Sequence, residues 1–439
     1  MYEKEEDKLN DFKKAYDDIS TPLDALDNAI SSGFQQAKSA KQKPRKMKWI
    51  MSVAMVAIIV ITFVTSIRVS PVFAQYVTSI PGMEKIVELI REDKGMMSAV
   101  KNDYYQEIAV SKEKDGLEVV IDGAIADENG IVLFYTLNTD KKQKEISIGE
   151  THLESSSGEV LDLSSVSFGM PHNSEEGKKT YSGTIEYFFE KPFKSREFEI
   201  DLKITGDSFN EEFSFPFKIK EDIREKKTFE LNKDVTVEGQ NMTILDATVY
   251  PLRVAVHVKM DPGNTKKILA FEDMRLVDER GETWGKTNGV VGSEIAENEE
   301  IIYLQSNYFH DPERLYLVFS RMQAIDKDKR KLVVDTEEEV ILNQPNGNKL
   351  RNLEINGNRV SLSLHTEKRF SYFMFGKMSD NTGKEVTTER SFTYGYRPDK
   401  GMAEIGFNMK GSDQLKSPIS IELEFFPNWI TGDEKVRIK

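Results

Sequence analysis

The chain has 439 residues, of which 31% are charged, with no cysteine, five histidines and a formal net charge of −14. At about 150 residues per domain, this length allows two to three domains with cores of their own. The absence of cysteine excludes disulfide scaffolds, thiolate zinc sites and cysteine nucleophiles. The acidic balance argues against direct nucleic-acid binding, which needs a basic face for the phosphates.

The first 48 residues divide into an acidic head and a basic neck. Residues 1–30 carry nine acidic side chains against four lysines, whereas residues 31–48 carry six basic side chains and no acidic one. The segment TPLD that starts at Thr21 predicts a helix start, because Thr caps, Pro suits the first helical position and a carboxylate favours the positive helix end. The basic neck is expected to lie against anionic lipid headgroups.

An apolar stripe follows this helix start. Its members recur at three- and four-residue steps and include Leu23, Leu26, Ile30 and Phe34. An earlier run, Leu9, Phe12 and Tyr16, repeats this spacing. Two short amphipathic helices cannot bury such faces against each other, so we expect residues 1–48 to dock into a groove of a cytoplasmic partner protein. A weakly structured tail or a helix on the membrane surface is the alternative.

Residues 49–67, WIMSVAMVAIIVITFVTSI, contain no charge, glycine or proline. Nineteen helical residues span roughly 28 Å, close to the hydrocarbon thickness of a bilayer. A buried core helix is the alternative, but such a helix usually keeps a polar stripe. Basic residues crowd the N-terminal flank, which by the positive-inside rule leaves residues 1–48 in the cytoplasm. The sequence thus predicts a single-pass protein of the cell membrane with its C-terminal bulk outside.

The tripeptide Val72-Phe73-Ala74 gives a second interpretation. Small or modest side chains of this kind precede signal-peptidase cuts, so cleavage after Ala74 is an alternative to a permanent anchor. The apolar segment is longer than the roughly 7–15-residue core of a signal peptide, and it begins only at residue 49. We therefore favour the anchor.

Beyond the apolar segment, the periodicity changes from helical to strand-like. Residues 81–94 predict a short helix in a juxtamembrane stalk (68–99), with Gly95 as its stop. After Tyr105, alternating or fully apolar runs are separated by Gly, Asn and Asp, as in antiparallel sheets. The predicted fold class is therefore mostly β: tandem immunoglobulin-like antiparallel sandwiches outside, one transmembrane helix and a short α-helical cytoplasmic head.

The β region repeats itself at an offset of 123 residues. The phrase LESSSGEVL aligns with LVDERGETW and returns as SDNTGKEVT at 379–387. Other aligned positions are Val119, Ile121 and Leu153 with Met242, Ile244 and Leu276. Each unit opens with a glycine in a hairpin, at Gly116, Gly239 and Gly357. The repeats predict three β-sandwich domains, at 100–222, 228–343 and 348–439.

Motifs of catalysis and metal binding are absent from the sequence. The histidines are far apart and form no HExxH pair. There is also no GxSxG elbow, Walker loop or GxGxxG after a strand. With 74 acidic residues, neighbouring carboxylates are expected by chance and give poor support for glycosidase chemistry. We therefore expect a non-enzymatic protein with no catalytic residue, no cofactor and no metal site.

Two stretches of sequence carry a resemblance to known proteins. These are PLDALDNAISSGFQQAK and, beyond the apolar segment, SPVFAQYVTSIPGMEKIVELIREDKGMMSAVKNDYYQEI at 70–108. The chain resembles, over about residues 20–220, a family of single-pass membrane proteins of Gram-positive bacteria with an extracellular domain of unknown function. The most specific phrases are Ser-Pro-x-Phe-Ala, Ile-Pro-Gly and Asp-Lys-Gly-x-x-x-Ala-Val. Members of this family look like anti-sigma factors of extracytoplasmic-function sigma factors.

The resemblance implies a receptor-like regulator. Its cytoplasmic helices would hold a sigma factor through Leu23, Leu26, Ile30 and Phe34, and an event at the ectodomain, involving an envelope ligand or a protease, would release it. One departure is that zinc-containing anti-sigma domains carry a His-Cys-Cys cluster, which this chain lacks. A membrane-anchored envelope-binding or structural ectodomain without a sigma partner is the alternative, and an extracellular hydrolase on a stalk is a third hypothesis.

Overall fold

The computed structural model describes residues 83–168, 172–219, 223–287, 292–410 and 416–439, with the backbone alone at 389–394. The predicted transmembrane segment 49–67 and the stripe residues Leu23, Leu26, Ile30 and Phe34 lie outside these ranges, as does Ala74, the site of the alternative signal-peptidase cut. Among the described helices, none combines the length and the apolar character that crossing a bilayer requires.

Two α-helices precede the strands in the described part of the chain, α1 (Glu84–Ile90) and α2 (Lys94–Lys101). The prediction of a single helix that stops at Gly95 is wrong, since Gly95 lies in the first turn of α2. The physical reason is that α1 ends at Ile90 and Asp93 caps a new helix, with its Oδ1 accepting the Met96 N–H at 2.9 Å. We call α1 and α2 together the helical pair.

The first body is one seven-stranded antiparallel sheet. Its order is β1-β2-β3-β5-β4, and the second half of the long strand β3 also pairs with β6, which pairs with β7. Side chains from both arms of the sheet share one core, which contains Tyr135, Tyr187 and Phe215. The strands are β1 (Gln106–Lys114), β2 (Leu117–Asp127), β3 (Gly130–Ser155), β4 (Leu163–Phe168), β5 (His172–Phe189), β6 (Glu197–Gly206) and β7 (Asn210–Lys218).

The second body is a sandwich of two five-stranded antiparallel sheets around one core. One sheet has the order β14-β15-β10-β9-β8, and the other has the order β11-β16-β12-β13 with β25 added on β16. The strands are β8 (Lys227–Val237), β9 (Gln240–Val249), β10 (Arg253–Met260), β11 (Lys266–Phe271), β12 (Arg275–Asp278), β13 (Thr283–Trp284), β14 (Gly292–Ala296), β15 (Glu299–Gln305), β16 (Leu315–Asp326) and β25 (Trp429–Arg437).

The third body has two four-stranded antiparallel sheets, β18-β17-β24-β21 and β19-β20-β23-β22. Their side chains share a core of their own. The strands are β17 (Lys331–Asp335), β18 (Val340–Asn343), β19 (Leu350–Asn356), β20 (Arg359–His365), β21 (Phe375–Ser379), β22 (Thr388–Arg397), β23 (Met402–Met409) and β24 (Ile419–Leu423). The mostly-β, antiparallel character predicted from the sequence is confirmed.

The strand pairing differs from the predicted boundaries 228–343 and 348–439. Strand β25 pairs with β16, and its residues Ile430 and Val436, together with Ile438 just after it, are buried in the second core. The third body is therefore inserted between β16 and β25. Sequence periodicity does not reveal the partner of a strand, because pairing is a long-range choice between sheet edges.

The three units share one turn, as the repeat predicts. The turn glycines Gly158, Gly281 and Gly383 have φ of 79°, 81° and 83°, a left-handed region that favours glycine. In each unit the residue three positions earlier accepts backbone N–H groups of the turn through its side chain: Ser155, Asp278 and Asp380. The repeat is therefore visible in the backbone of the turn as well as in the sequence.

We predict that Ile430→Ala destabilises the second body, because Ile430 is 2% exposed in its core. The lost packing should cost about 2–4 kcal/mol in the free energy of unfolding. Hydrogen exchange should show the loss of protection in β16, the strand that pairs with β25. The control is Val340→Ala on an edge strand, 45% exposed, which should cost less than about 0.5 kcal/mol. Loss confined to β20 and β23 would contradict the pairing.

Candidate functional site

The helical pair packs against the first body through one apolar face. Its buried side chains are Ile86, Val87 and Ile90 of α1 and Met96, Met97, Ala99 and Val100 of α2. They share a cluster with Ile125, Val132, Phe134 and Phe188 of the first body and with Leu252 of the second. Since this cluster is separate from the three body cores, the helical pair has a small core of its own at the junction between two bodies.

The first turn of α2 fits closely against the second body. A Cβ added at Gly95 would lie 2.7 Å from the backbone N of Ser306, so only glycine allows this approach. Beside it, the Gln305 Nε2 donates to the Glu92 carbonyl at 3.0 Å, and the Lys94 Nζ donates to the Thr283 carbonyl at 2.9 Å. These polar contacts fix the position of α2 along the second body.

Tyr104, just after α2, extends the contact to the segment between the first and second bodies. The Arg224 N–H donates to the Tyr104 hydroxyl at 3.1 Å. The Arg224 guanidinium lies 5.4 Å from the Tyr104 ring and 5.1 Å from the ring of Phe309, a distance at which cations and aromatic faces attract. The helical pair and the tyrosine that follows it thus contact the first body, the second body and the segment between them.

The two bodies also contact each other beneath the helical pair. Asp127 of the first body is 1% exposed and accepts the Leu252 N–H of the second body at 3.0 Å. The Arg253 guanidinium, 4% exposed, lies 3.7 Å from the ring centres of both Phe188 and Tyr303. Its Nε has no hydrogen-bond partner among the described residues. Arg253 is therefore held mainly by two aromatic faces, one from each body.

Three carboxyl groups lie at this junction, and two of them, Asp127 and Glu186, interact with the charge of Arg253. Burial raises the pKa of Asp93 to about 6 against the opposing effect of the amides of Met96 and Gly95. Burial, and then the neighbouring Asp93, raises the pKa of Glu186 to about 7. Burial also raises the pKa of Asp127 to about 6, against the amides of Leu252 and Asn129 and the charge of Arg253. Ionisation of this junction therefore costs free energy near neutral pH.

A second polar cluster lies beside the start of α2. The Asp278 Oδ2 is 3.2 Å from the His310 Nε2, which is 4.0 Å from the Glu282 Oε2. The other oxygen of Glu282 is 3.6 Å from the Lys94 Nζ of α2. The Trp284 and His310 ring centres are 5.1 Å apart. The ligand atoms of Asp278, Glu282 and His310 all lie within 4.8 Å of one another, a spacing that could hold a metal ion.

Sequence reasoning predicted the partner-binding residues Leu23, Leu26, Ile30 and Phe34, which lie outside the described residues and stay predictions. It did not identify the junction. Asp93, Lys94 and Gly95 were available in the phrase Asp-Lys-Gly, but their partners are about 200 residues away in the second body. His310 likewise meets Asp278 only through the fold, so its position in the sequence gave no signal.

Two segments of the chain match family models. Residues 43–139 match a domain of unknown function (DUF4179), and residues 226–356 match a family of unknown function (DUF5643). The first match runs from the basic neck through the helical pair into β3, and the second covers β8 to β19. The prediction of a domain of unknown function is confirmed, and the resemblance to anti-sigma factors stays a prediction.

Among solved structures, the chain is similar to one described as "the crystal structure of the conserved domain protein from Bacillus anthracis". The sequence identity is 14% and the TM-score is 0.38, over 54% of this chain and 84% of that one. The search of curated proteins finds no match.

We predict that Gly95→Ala loosens the helical pair from the second body. The new Cβ would collide with the Ser306 backbone, and the intrinsic helix preference of Ala, about 1 kcal/mol, would be outweighed by a steric cost of about 1–3 kcal/mol. Hydrogen exchange of residues 84–101 reports the change. The matched control is Gly285→Ala, since a Cβ there meets nothing within 4 Å. Equal protection in both variants would contradict the close approach.

We predict that the junction weakens as the pH rises from 4 to 7. The pKa values of Asp93 and Glu186 are raised from 3.8 and 4.5 to about 6 and about 7. Their stabilising contribution is therefore complete below pH 4 and is lost as the pH rises through 6 to 7. At about 1.4 kcal/mol per pKa unit, an increase of roughly two in the pKa corresponds to a loss on the order of 3 kcal/mol for each group.

The measurement is hydrogen exchange of residues 84–101, corrected for the intrinsic pH dependence of exchange. Asp127 and Arg253 face the same junction, so Asp93→Asn and Glu186→Gln are tested separately. Each variant removes one titrating group and should flatten the pH profile, while the amide side chain introduced by Asp93→Asn keeps an oxygen that can cap α2. A profile as steep as that of the wild type in both variants would assign the pH dependence to other groups.

Proposed function

We propose that this chain is a single-pass, non-enzymatic membrane regulator, an anti-sigma factor with an ectodomain of immunoglobulin-like sandwiches. In this proposal residues 1–48 bind an extracytoplasmic-function sigma factor in the cytoplasm, residues 49–67 cross the membrane, and the β bodies sense the envelope. Leu23, Leu26, Ile30 and Phe34 are the proposed partner-binding residues.

The observation that carries the proposal is the position of the helical pair. It begins at Glu84, shortly after the apolar segment in the sequence, and its side chains contact both the first and the second body. A change in the contact between these bodies therefore alters the surface that supports the helical pair, which follows residues 49–67 in the sequence. The match to DUF4179 supports treating the neck, the apolar segment, the helical pair and the first strands as one unit, because residues 43–139 include all of them.

A regulator of this type needs two states that an external event can bias. The buried carboxyl groups and the arginine at the junction are a candidate for the part of the structure that changes between the two states. Ionising these carboxyl groups while the bodies are in contact costs free energy. An envelope ligand that separates the bodies, or a protease that cuts between the apolar segment and α1, would disconnect the ectodomain from the cytoplasmic segment.

The proposal predicts that Ile30→Asp raises transcription of the sigma-dependent genes. The added charge interrupts the apolar stripe that would fill the partner's groove, and a loss of about 2–4 kcal/mol corresponds to a roughly 30- to 1,000-fold weaker complex. Affinity capture of the cytoplasmic partner and a transcription profile measure the two effects. The matched control is Asn28→Asp, which adds the same charge away from the stripe and should leave both unchanged.

Deletion of residues 1–48 gives the stronger test. If transcription and partner capture stay unchanged in that deletion, the regulator hypothesis is wrong. The second candidate, a membrane-anchored envelope-binding or structural ectodomain, then remains. It predicts that isolated cell wall retains both the full-length protein and the variant that lacks residues 1–48. The three β bodies are the observation that favours it, since they form most of the described chain.

A further inference from the structure

We propose that Asp278, Glu282 and His310 form a binding site for a divalent transition-metal ion of the Zn²⁺ class, in competition with Lys94 of α2. The site lies in the second body, on the turn between β12 and β13 and on the loop after β15. It is independent of what residues 1–48 bind, and it was hidden in the sequence because His310 is 28 residues beyond Glu282.

The donor set selects the class of ion. One imidazole nitrogen and two carboxylate oxygens suit Zn²⁺ and related borderline ions, whereas Ca²⁺ and Mg²⁺ prefer oxygen ligands alone. Bonds of about 2.1 Å place tetrahedral ligands about 3.4 Å apart. The 3.2 Å between Asp278 Oδ2 and His310 Nε2 fits this spacing, and the 4.0 Å from His310 to Glu282 Oε2 needs only a small movement of a side chain that is 40% exposed. Water would take the fourth position.

The structural requirements of the turn do not explain the cluster. In the third body, the Asp380 Oδ1 accepts the N–H groups of Thr382 and Lys384, just as the Asp278 Oδ1 accepts those of Arg280 and Glu282. The turn therefore needs one carboxylate oxygen. Lys384 occupies the position equivalent to Glu282, so the third body builds the same turn without the ligand set. The first body has Glu159 at this position, but there the carboxylate accepts the N–H groups of Lys194 and Ser195. Among the described residues, the combination of this glutamate with an aspartate and a nearby histidine is specific to the second body.

The surroundings favour a cation at this place. The Asp278 side chain is fully buried, and a buried carboxylate requires a compensating positive charge. Two backbone N–H groups hold its Oδ1, and the Trp284 ring packs beside His310, so two of the three ligands are oriented before a metal binds.

Lys94 connects the proposed site to the helical pair. Its Nζ is 3.6 Å from the Glu282 Oε1, so a metal that recruits Glu282 competes with this ion pair and repels the ammonium group. Binding of the ion and seating of α2 on the second body therefore oppose each other, and by linkage each weakens the other by the same factor. The site is thus a place where a metal ion can alter the contact between the helical pair and the second body.

The test uses full-length protein purified in detergent, with Zn²⁺ binding measured by calorimetry and Co²⁺ absorption reporting the coordination geometry. His310→Phe keeps a ring beside Trp284 but removes the nitrogen ligand, and should weaken Zn²⁺ binding about 10- to 100-fold. Glu282→Gln should weaken it about tenfold. Lys94→Met should strengthen it several-fold, because the competing ammonium group is gone.

His257 supplies the matched control. It also contacts an Asp and a Glu, but Asp246 faces its Nδ1 at 3.2 Å and Glu299 faces its Nε2 at 3.4 Å, so the acids lie on opposite sides of the ring. One ion cannot be reached by all three, and His257→Phe should bind Zn²⁺ as the wild type does. Hydrogen exchange of residues 84–101 should rise with Zn²⁺ in the wild type and stay constant in His310→Phe.

Three results would overturn the proposal. The first is equal Zn²⁺ affinity in the wild type and in His310→Phe. The second is a loss of Zn²⁺ affinity in His257→Phe as large as that in His310→Phe. The third is a visible Co²⁺ absorption band that is absent from the wild type or that persists in His310→Phe. A Lys94→Met variant that binds Zn²⁺ more weakly would overturn the competition with α2. Thermal melting of each variant checks folding, and Glu282→Gln, a substitution at a partly exposed side chain, decides the question if His310→Phe does not fold.

Discussion

The burial of the helical pair against two β bodies is the interaction on which the rest of this structure depends. The apolar faces of α1 and α2 lie on Phe134 and Phe188 of the first body, while the first turn of α2 meets Ser306 of the second. Neither helix is long enough to be stable alone in water, since isolated helices of fewer than about 12 residues are marginal. Their order therefore comes from the bodies that they join.

The stability of this contact depends on the charge of the groups buried at the junction. Two aromatic rings hold Arg253, and the carboxyls of Asp93, Glu186 and Asp127 lose most of their hydration. A purely apolar interface would bury the same helices with a smaller desolvation free energy, because the attraction between buried charged groups seldom exceeds the free energy of removing them from water. Such an arrangement suits a contact that forms and separates.

The repeat shows how one β unit acquires different roles. The turn with its left-handed glycine occurs in all three bodies. In each body one side chain stabilises it by accepting a backbone N–H group of the turn. Only in the second body, among the described residues, do an aspartate and a glutamate of that turn lie close to a histidine and to the lysine of α2. The second body also receives its last strand, β25, from beyond the third body, so its stability depends on the C-terminus of the chain.

Local features were readable from the sequence, because they depend on near neighbours. Alternation of apolar residues predicted the strands, and glycines at matched offsets predicted the repeated turns, which only a residue tolerant of positive φ can occupy. The long uncharged segment 49–67 predicted a membrane span in the same way, from hydropathy alone.

The tertiary structure decided the features that depend on distant partners. It placed β25 on β16, split the predicted stalk helix at Asp93, and brought Lys94 and His310 to the same turn. The pairing of a sheet edge and the meeting of side chains some 200 residues apart are chosen by the whole arrangement of bodies. No local pattern of residues encodes that choice, because periodicity specifies which face is apolar and not what covers it.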